Sequence, residues 1–131
     1  MRISTMACHA LHLLLCLSEQ EDDIPASASE LSVSTGISEK FVQKIMRMLQ
    51  AEGIVKSVRG IAGGHMLART PDDITLADII FAVEGGISLP GVSQAAAVGK
   101  TAFDAWDKVA RSMHNSLEAV TLGSVRQNSA S

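Results

Sequence analysis

Cys8, His12 and Cys16 recur at i, i+4 and i+8, a spacing that sets three side chains along one face of a helix. Thiolate and imidazole are soft donors, so the stripe has the composition of a metal site, and the thiols alone have that of a redox sensor. The same spacing also describes three medium-sized residues turned toward a core, where free cysteine is common. A second chemistry lies between residues 38 and 60. Ser38, Lys40, Gln43, Lys44, Arg47 and Gln50 interleave with Phe41, Val42, Ile45, Met46 and Leu49, so a helix here has one cationic, amide-bearing face and one apolar face. Lysine and arginine attract phosphate, and glutamine can pair with adenine through two hydrogen bonds. Arg59, last residue of a strand, and the backbone of Gly60, first of a glycine-rich turn, follow near a hairpin tip, a place from which arginine enters a DNA minor groove.

The elements that must position these residues are legible from caps and periodicity. Ser4 or Thr5 caps a first helix to about Ser18, with Met6, Ala10, Leu13, Leu14 and Leu17 at helical spacing. The acidic stretch Glu19–Pro25 is a loop, and Glu21-Asp22-Asp23 within it is explained by solvation. Ser27 opens a short second helix, with Glu30 placed for a capping box, and Gly36 closes it. Ile37 turns inward, and Ser38 caps a third helix over Glu39 to about Glu52. The period then becomes two. Residues 54–59 read as a strand, Gly60–Gly64 as a turn and 65–68 as the returning strand, which makes a wing. Pro71-Asp72-Asp73 turns the chain, Thr75 caps a helix over Leu76–Val83, and Gly85-Gly86 ends it.

After a loop through residue 100, Phe103, Trp106, Ala110, Met113, Leu117 and Val120 are spaced 3, 4, 3, 4 and 3, a heptad seam suited to a partner subunit. The polar tail after Val125 is expected to fray. The expected fold is mainly α with a small β-hairpin: a winged helix-turn-helix over residues 1–85, then a loop, dimerisation helix and tail over 86–131.

Composition narrows the function classes. Hydrophobic residues at 47% exclude a disordered chain, and the scarcity of aromatics leaves a core of Leu, Ile, Val, Met and Ala. The net charge of −3 argues against nucleic acid until it is resolved along the chain. Residues 36–69 hold six cations (Lys40, Lys44, Arg47, Lys56, Arg59, Arg69) and two acids, a local +4 that leaves −7 on the remainder. Screening confines each charge to about 10 Å, so the local excess is what a phosphate meets. The apolar run before Leu17 is interrupted by His9 and His12 and is too short to span a bilayer, which places the protein in the cytoplasm with reduced cysteines. No phosphate loop, nucleophile elbow or acid pair supports an enzyme.

Four segments resemble one family: Met-Arg-Ile-Ser-Thr at 1–5, Gly-Ile-Ser-Glu-Lys-Phe at 36–41, Ser-Val-Arg-Gly-Ile-Ala-Gly-Gly-His at 57–65 and Asp-Ile-Thr-Leu-Ala-Asp-Ile-Ile at 73–80. Ala-Val-Glu-Gly at 82–85 and Val-Thr-Leu-Gly at 120–123 extend the match. These resemble the Rrf-two family of bacterial transcriptional regulators, which includes the iron–sulfur cluster regulator, the nitric-oxide-sensing repressor and the cysteine-metabolism repressor. The resemblance implies a homodimer on a partly palindromic operator, with Glu39 and Phe41 also near the bases. Arg2, Ser4 and Thr5 are phosphate candidates at the start of the first helix. Many members hold an iron–sulfur cluster on three cysteines in the loop before the dimer helix. Here Ile87–Lys100 has none; Val92 and Val98 stand at a C-x5-C-like spacing, and valine ligates no iron.

The sequence therefore predicts a dimeric, sequence-specific DNA-binding repressor without a cofactor, partnered by double-stranded DNA and by no membrane. The two half-sites would lie about 34 Å apart or a multiple of it. Two rival readings remain: a metal, iron–sulfur or thiol sensor using Cys8, His12 and Cys16, and a winged helix that binds protein instead of DNA. His65 reads as an aromatic stand-in in the wing and His114 as a surface residue.

Overall fold

A computed structural model describes residues 3–85 and 99–129. The expectations for Arg2 and for Val92 and Val98 lie outside them. Helix α1 (Thr5–Ser18) starts at Ser4, whose Oγ accepts from the Ala7 amide at 3.0 Å. It buries Ala7, Ala10, Leu13, Leu14 and Leu17, and Met6, expected on that face, is only partly covered. α2 (Ala28–Thr35) begins at Ser27, which accepts from the Glu30 amide at 3.1 Å. The Glu30 carboxylate meets the Ser27 hydroxyl instead of completing a capping box. The full box forms at α4 (Leu76–Glu84), where Thr75 and Asp78 exchange bonds of 3.0 and 3.1 Å.

Gly36, left-handed at φ 78°, turns the chain from α2 toward α3 (Glu39–Ala51). The strands are β1 (Val55–Val58) and β2 (Gly64–Leu67), antiparallel with Val55 opposite Leu67 and Val58 opposite Gly64. A 3-10 turn at Pro71–Asp73 leads into α4. α4 packs on α1 and α3, and their apolar faces meet in one core that includes Leu13, Leu14, Ile45, Leu49, Ile54, Ile74 and Ile79.

The C-terminal part departs from expectation in two places. Helix α5 (Lys100–Ala119) lies against α4 and stops before Val120, which is extended and accepts from the Leu76 amide at 2.9 Å. The tail after Val125, expected to fray, continues a helix to Ser129, α6 (Leu122–Ser129). Thr121 and Ser124 cap it reciprocally at 3.0 and 3.1 Å, and the Leu122 amide donates to the Ile74 carbonyl at 2.7 Å. The Leu122 side chain is wholly buried in the core that α1, α3 and α4 share. A single buried leucine at the start of a polar helix, with a backbone bond to Ile74, is a signal that hydrophobic periodicity does not register.

Leu122→Ala should therefore lower the unfolding free energy by about 2–5 kcal/mol, the usual cost of such a truncation in a core. Urea denaturation of the two proteins measures it; an unchanged midpoint would mean that α6 adds nothing to the core.

Candidate nucleic-acid interface

The side chains of α3 are sorted by burial. Val42, Ile45 and Leu49 are fully covered and Met46 nearly so, packed in the same core cluster as the leucines of α1. That leaves Ser38, Glu39, Lys40, Gln43, Lys44 and Arg47 exposed. Ser38 also accepts from the Phe41 amide at 3.3 Å, so its hydroxyl caps the helix that carries the cations. Among the described residues no ion pair engages Lys40, Lys44, Arg47, Lys56 or Arg59. Arg69 differs: it reaches Asp78 at 3.5 Å and the Asp73 carbonyl at 3.3 Å, so one of the six cations counted in the basic stretch serves the fold.

Phe41 is half-buried and meets His9 edge-on, with ring centroids 5.6 Å apart. Ser4, besides capping α1, hydrogen-bonds the Glu84 carboxylate, whereas Thr5 is exposed in the first turn.

The wing is fastened to the helical body at several points. The Ile54 amide donates to the Leu49 carbonyl at 3.0 Å, so the chain leaves α3 directly into β1. On its outer side Ser57 Oγ donates to Gln50 Oε1 at 2.9 Å, which places Arg59 in continuity with the polar face of α3. On the far edge Ala26 pairs with His65 through bonds of 2.7 and 3.0 Å. Gly64 permits that approach, because a Cβ there would come 2.4 Å from the Ala26 carbonyl oxygen. Sequence reasoning missed Ala26 and Gln50 as anchors; a hydrogen bond between distant segments leaves no local pattern to find.

The Cys8, His12 and Cys16 stripe is divided: its first two residues lie on the outer side of α1, and Cys16 packs against the edge of the core. Cys8 and His12 are exposed, and Cys16 is half-buried with its thiol pKa raised by burial and then by the Glu19 charge. A raised pKa disfavours the reactive thiolate. Among the described residues no group of three or more His, Cys, Asp or Glu side chains is placed to hold a metal. With only two cysteines in the chain, both on α1, the donor set does not fit a cluster on three cysteines. Nor is any described helix long and apolar enough to cross a membrane.

The six seam residues, five on α5 and Val120 just beyond its end, do not share one environment. Phe103, Ala110, Met113, Leu117 and Val120 are half-buried, whereas Trp106 is 60% exposed beside Val109 at 48%. His114 is exposed, 3.1 Å from Glu118.

Residues 3–128 match the model of the Rrf2 (Rrf-two) family, described as an iron-dependent transcriptional regulator. The chain is 30% identical over 122 residues to the HTH-type transcriptional regulator CymR of Bacillus subtilis, covering 93% of this chain and 87% of that one. A putative HTH-type regulator of Synechocystis is also 30% identical, covering 93% and 85%. Among solved structures, IscR of T. potens superposes with a TM-score of 0.77 at 28% identity, covering 98% of this chain and 88% of that one. CymR, titled the global cysteine regulator of B. subtilis, superposes with a TM-score of 0.78 at 25% identity, covering 98% of both.

His65 gives the wing junction a pH signature. Its Nδ1 is buried without a hydrogen-bond partner among the described residues, and burial lowers its pKa below the ordinary 6.5. The unfolded chain then binds the proton more tightly than the folded one. This group's contribution is full above pH 6.5, declines as the pH falls below it, and levels off beneath the lowered value. His65→Phe keeps the ring and removes the titration. Its unfolding free energy, from urea titrations on either side of pH 6.5, should fall less steeply than the parent's on the acid side. Parallel curves would refute the assignment.

Proposed function

Because the chain belongs to the Rrf2 family, it is a helix-turn-helix transcriptional regulator and not an enzyme, and we propose that it acts as a homodimeric repressor that reads a partly palindromic operator through α3 and the wing. The observation that carries this reading is the outer face of α3. Lys40, Gln43, Lys44 and Arg47 are exposed and unpaired among the described residues, in a chain that has more acids than bases. In that setting, unpaired cations held on the outside of a rigid helix suit an anionic partner.

In this reading α3 occupies the major groove. Gln43 contacts a base edge, Ser38 and Glu39 lie at the helix start nearest the bases, and Lys40, Lys44 and Arg47 meet base edges or phosphates. Phe41, half-buried against His9, sets the position of that helix start. Arg59, with the Gly60 backbone, enters the adjacent minor groove. Thr5, exposed in the first turn of α1, meets phosphate there, whereas Ser4 is engaged by the Ala7 amide and the Glu84 carboxylate. The second copy joins along α5, through Trp106 and Val109 together with exposed parts of Phe103, Ala110, Met113 and Leu117, and through Val120 just past its end. The two half-sites then lie about one DNA turn apart or a multiple of it. No cluster enters the reading, since the donors do not fit one.

Selection of bound genomic fragments, followed by affinity measurements across a salt series, tests the DNA half. Lys44→Ala and Arg59→Ala should each weaken binding and flatten the log–log salt slope by about 0.9 per lost phosphate contact, while Gln43→Ala should lose about 1–3 kcal/mol of discrimination at one base pair. Salt-independent binding, or none to any fragment, would refute it.

Trp106→Ala tests the dimer. An exposed aromatic anchor of this size should weaken self-association by about tenfold or more, read by sedimentation equilibrium, and operator affinity should fall with it. A dimer of unchanged strength would exclude α5 as the interface.

A further inference from the structure

The tip of the wing has a composition that solvent alone does not explain. Gly60, Ile61, Ala62 and Gly63 close the β1–β2 hairpin, with the Gly63 amide donating to the Gly60 carbonyl at 3.0 Å. Central positions of a solvent-exposed turn are ordinarily Gly, Pro, Asn, Asp or Ser. Here they are Ile61 and Ala62, and Ile61 is 110% exposed, more open than in a reference peptide. It therefore adds nothing to the packing of the fold. The tip is also held in shape: Gly60 has φ 121°, and a Cβ on Gly63 would come 2.1 Å from the Val58 carbonyl oxygen.

What Ile61 meets follows from its neighbours. Residues 53–71 hold Lys56, Arg59 and Arg69 and no acid. The hairpin is tied to the polar face of α3 through Ser57 and Gln50. A polyanion drawn to Lys56 and Arg59 is thus brought against an isoleucine that can bond to no phosphate. The apolar surface that double-stranded DNA offers at that point is the deoxyribose wall and the base steps of the minor groove. Apolar side chains placed there wedge at base steps, most easily at flexible pyrimidine–purine steps.

We propose that Ile61 is a DNA-contacting specificity residue that packs into the minor groove beside Arg59 and selects a deformable base step. The inference rests on the DNA-binding reading above. Arg59 supplies attraction that depends on salt, and Ile61 supplies shape-dependent contact that does not.

The test uses the full-length protein and the operator recovered by genomic selection. Affinities of the parent, Ile61→Ala, Ile61→Val and Arg59→Ala are measured over a salt series, and the selection is repeated with Ile61→Ala. Ile61→Ala should weaken binding about tenfold, as expected if about half of its three extra carbons are buried. Its salt slope and thermal unfolding should match the parent's, and the pyrimidine–purine preference under the wing should disappear. Ile61→Val should keep most of the affinity, and Arg59→Ala should flatten the slope. An Ile61→Ala protein with parental affinity and base preference overturns the inference while leaving the DNA reading intact. A slope flattened as in Arg59→Ala also overturns it, since the wing itself would have moved. Failure of the parent to bind any DNA overturns the underlying reading and the inference with it.

Discussion

Burial of four side chains on α3 is the constraint that the rest of the molecule obeys. Val42, Ile45, Met46 and Leu49 enter the same core as Leu13, Leu14 and Leu17 of α1, and this fixes the rotation of α3 about its axis. Each such burial is worth about 1.5–3 kcal/mol, whereas an exposed ion pair contributes roughly 0–1 kcal/mol. Turning the helix by one residue would expose apolar groups that no surface charge interaction could offset. Lys40, Gln43, Lys44 and Arg47 point outward because their neighbours are held inward. The cationic face is a consequence of the core.

The same core sets the wing. Ile54 is buried immediately after α3 and bonded back to Leu49, so the strand inherits its direction from the helix. Ser57 and Gln50 join the two on one side, and Ala26 and His65 join the hairpin to the loop before α2 on the other. Helix and hairpin are thereby held at both edges and offered to a partner as one surface. A ligand that engages both meets little ordering cost, which is where preorganised contacts gain their affinity.

Much of this was legible in the residues. The caps at Ser4, Ser27, Ser38 and Thr75, the alternation of α3 and the switch to a period of two all act within a few positions, so they leave a local pattern. What escaped depends on contacts distant in sequence. α6 is polar apart from Leu122 and Val125, and its place is decided by the 3-10 turn and α1, more than a hundred residues away in the latter case. Its cap was visible in principle, since Thr121 and Ser124 have the spacing of a reciprocal box. The stripe of Cys8, His12 and Cys16 was correctly placed on one helical face, but spacing does not say which face a core covers. The leucines and alanines of α1 won that contest, and Cys8 and His12 were left outside. Trp106 shows the same limit: a 3-4 repeat identifies an apolar stripe, not the share of it that α4 already occupies.

The division of charge gives the surface its selectivity. With −7 on the residues outside 36–69, the rest of the chain is on balance repulsive to DNA, and in the proposed reading the exposed cations of α3 and the wing draw it to one orientation. At physiological salt the field of the acidic body fades within about 8 Å, so it does not cancel attraction at the contact itself. It does reduce loose binding, which depends on phosphate attraction alone. A strongly basic protein would hold any duplex tightly and gain little from a correct sequence. In the proposed reading a small set of cations leaves the balance to contacts that depend on base identity and groove shape, made by the polar face of α3 and the tip of the wing.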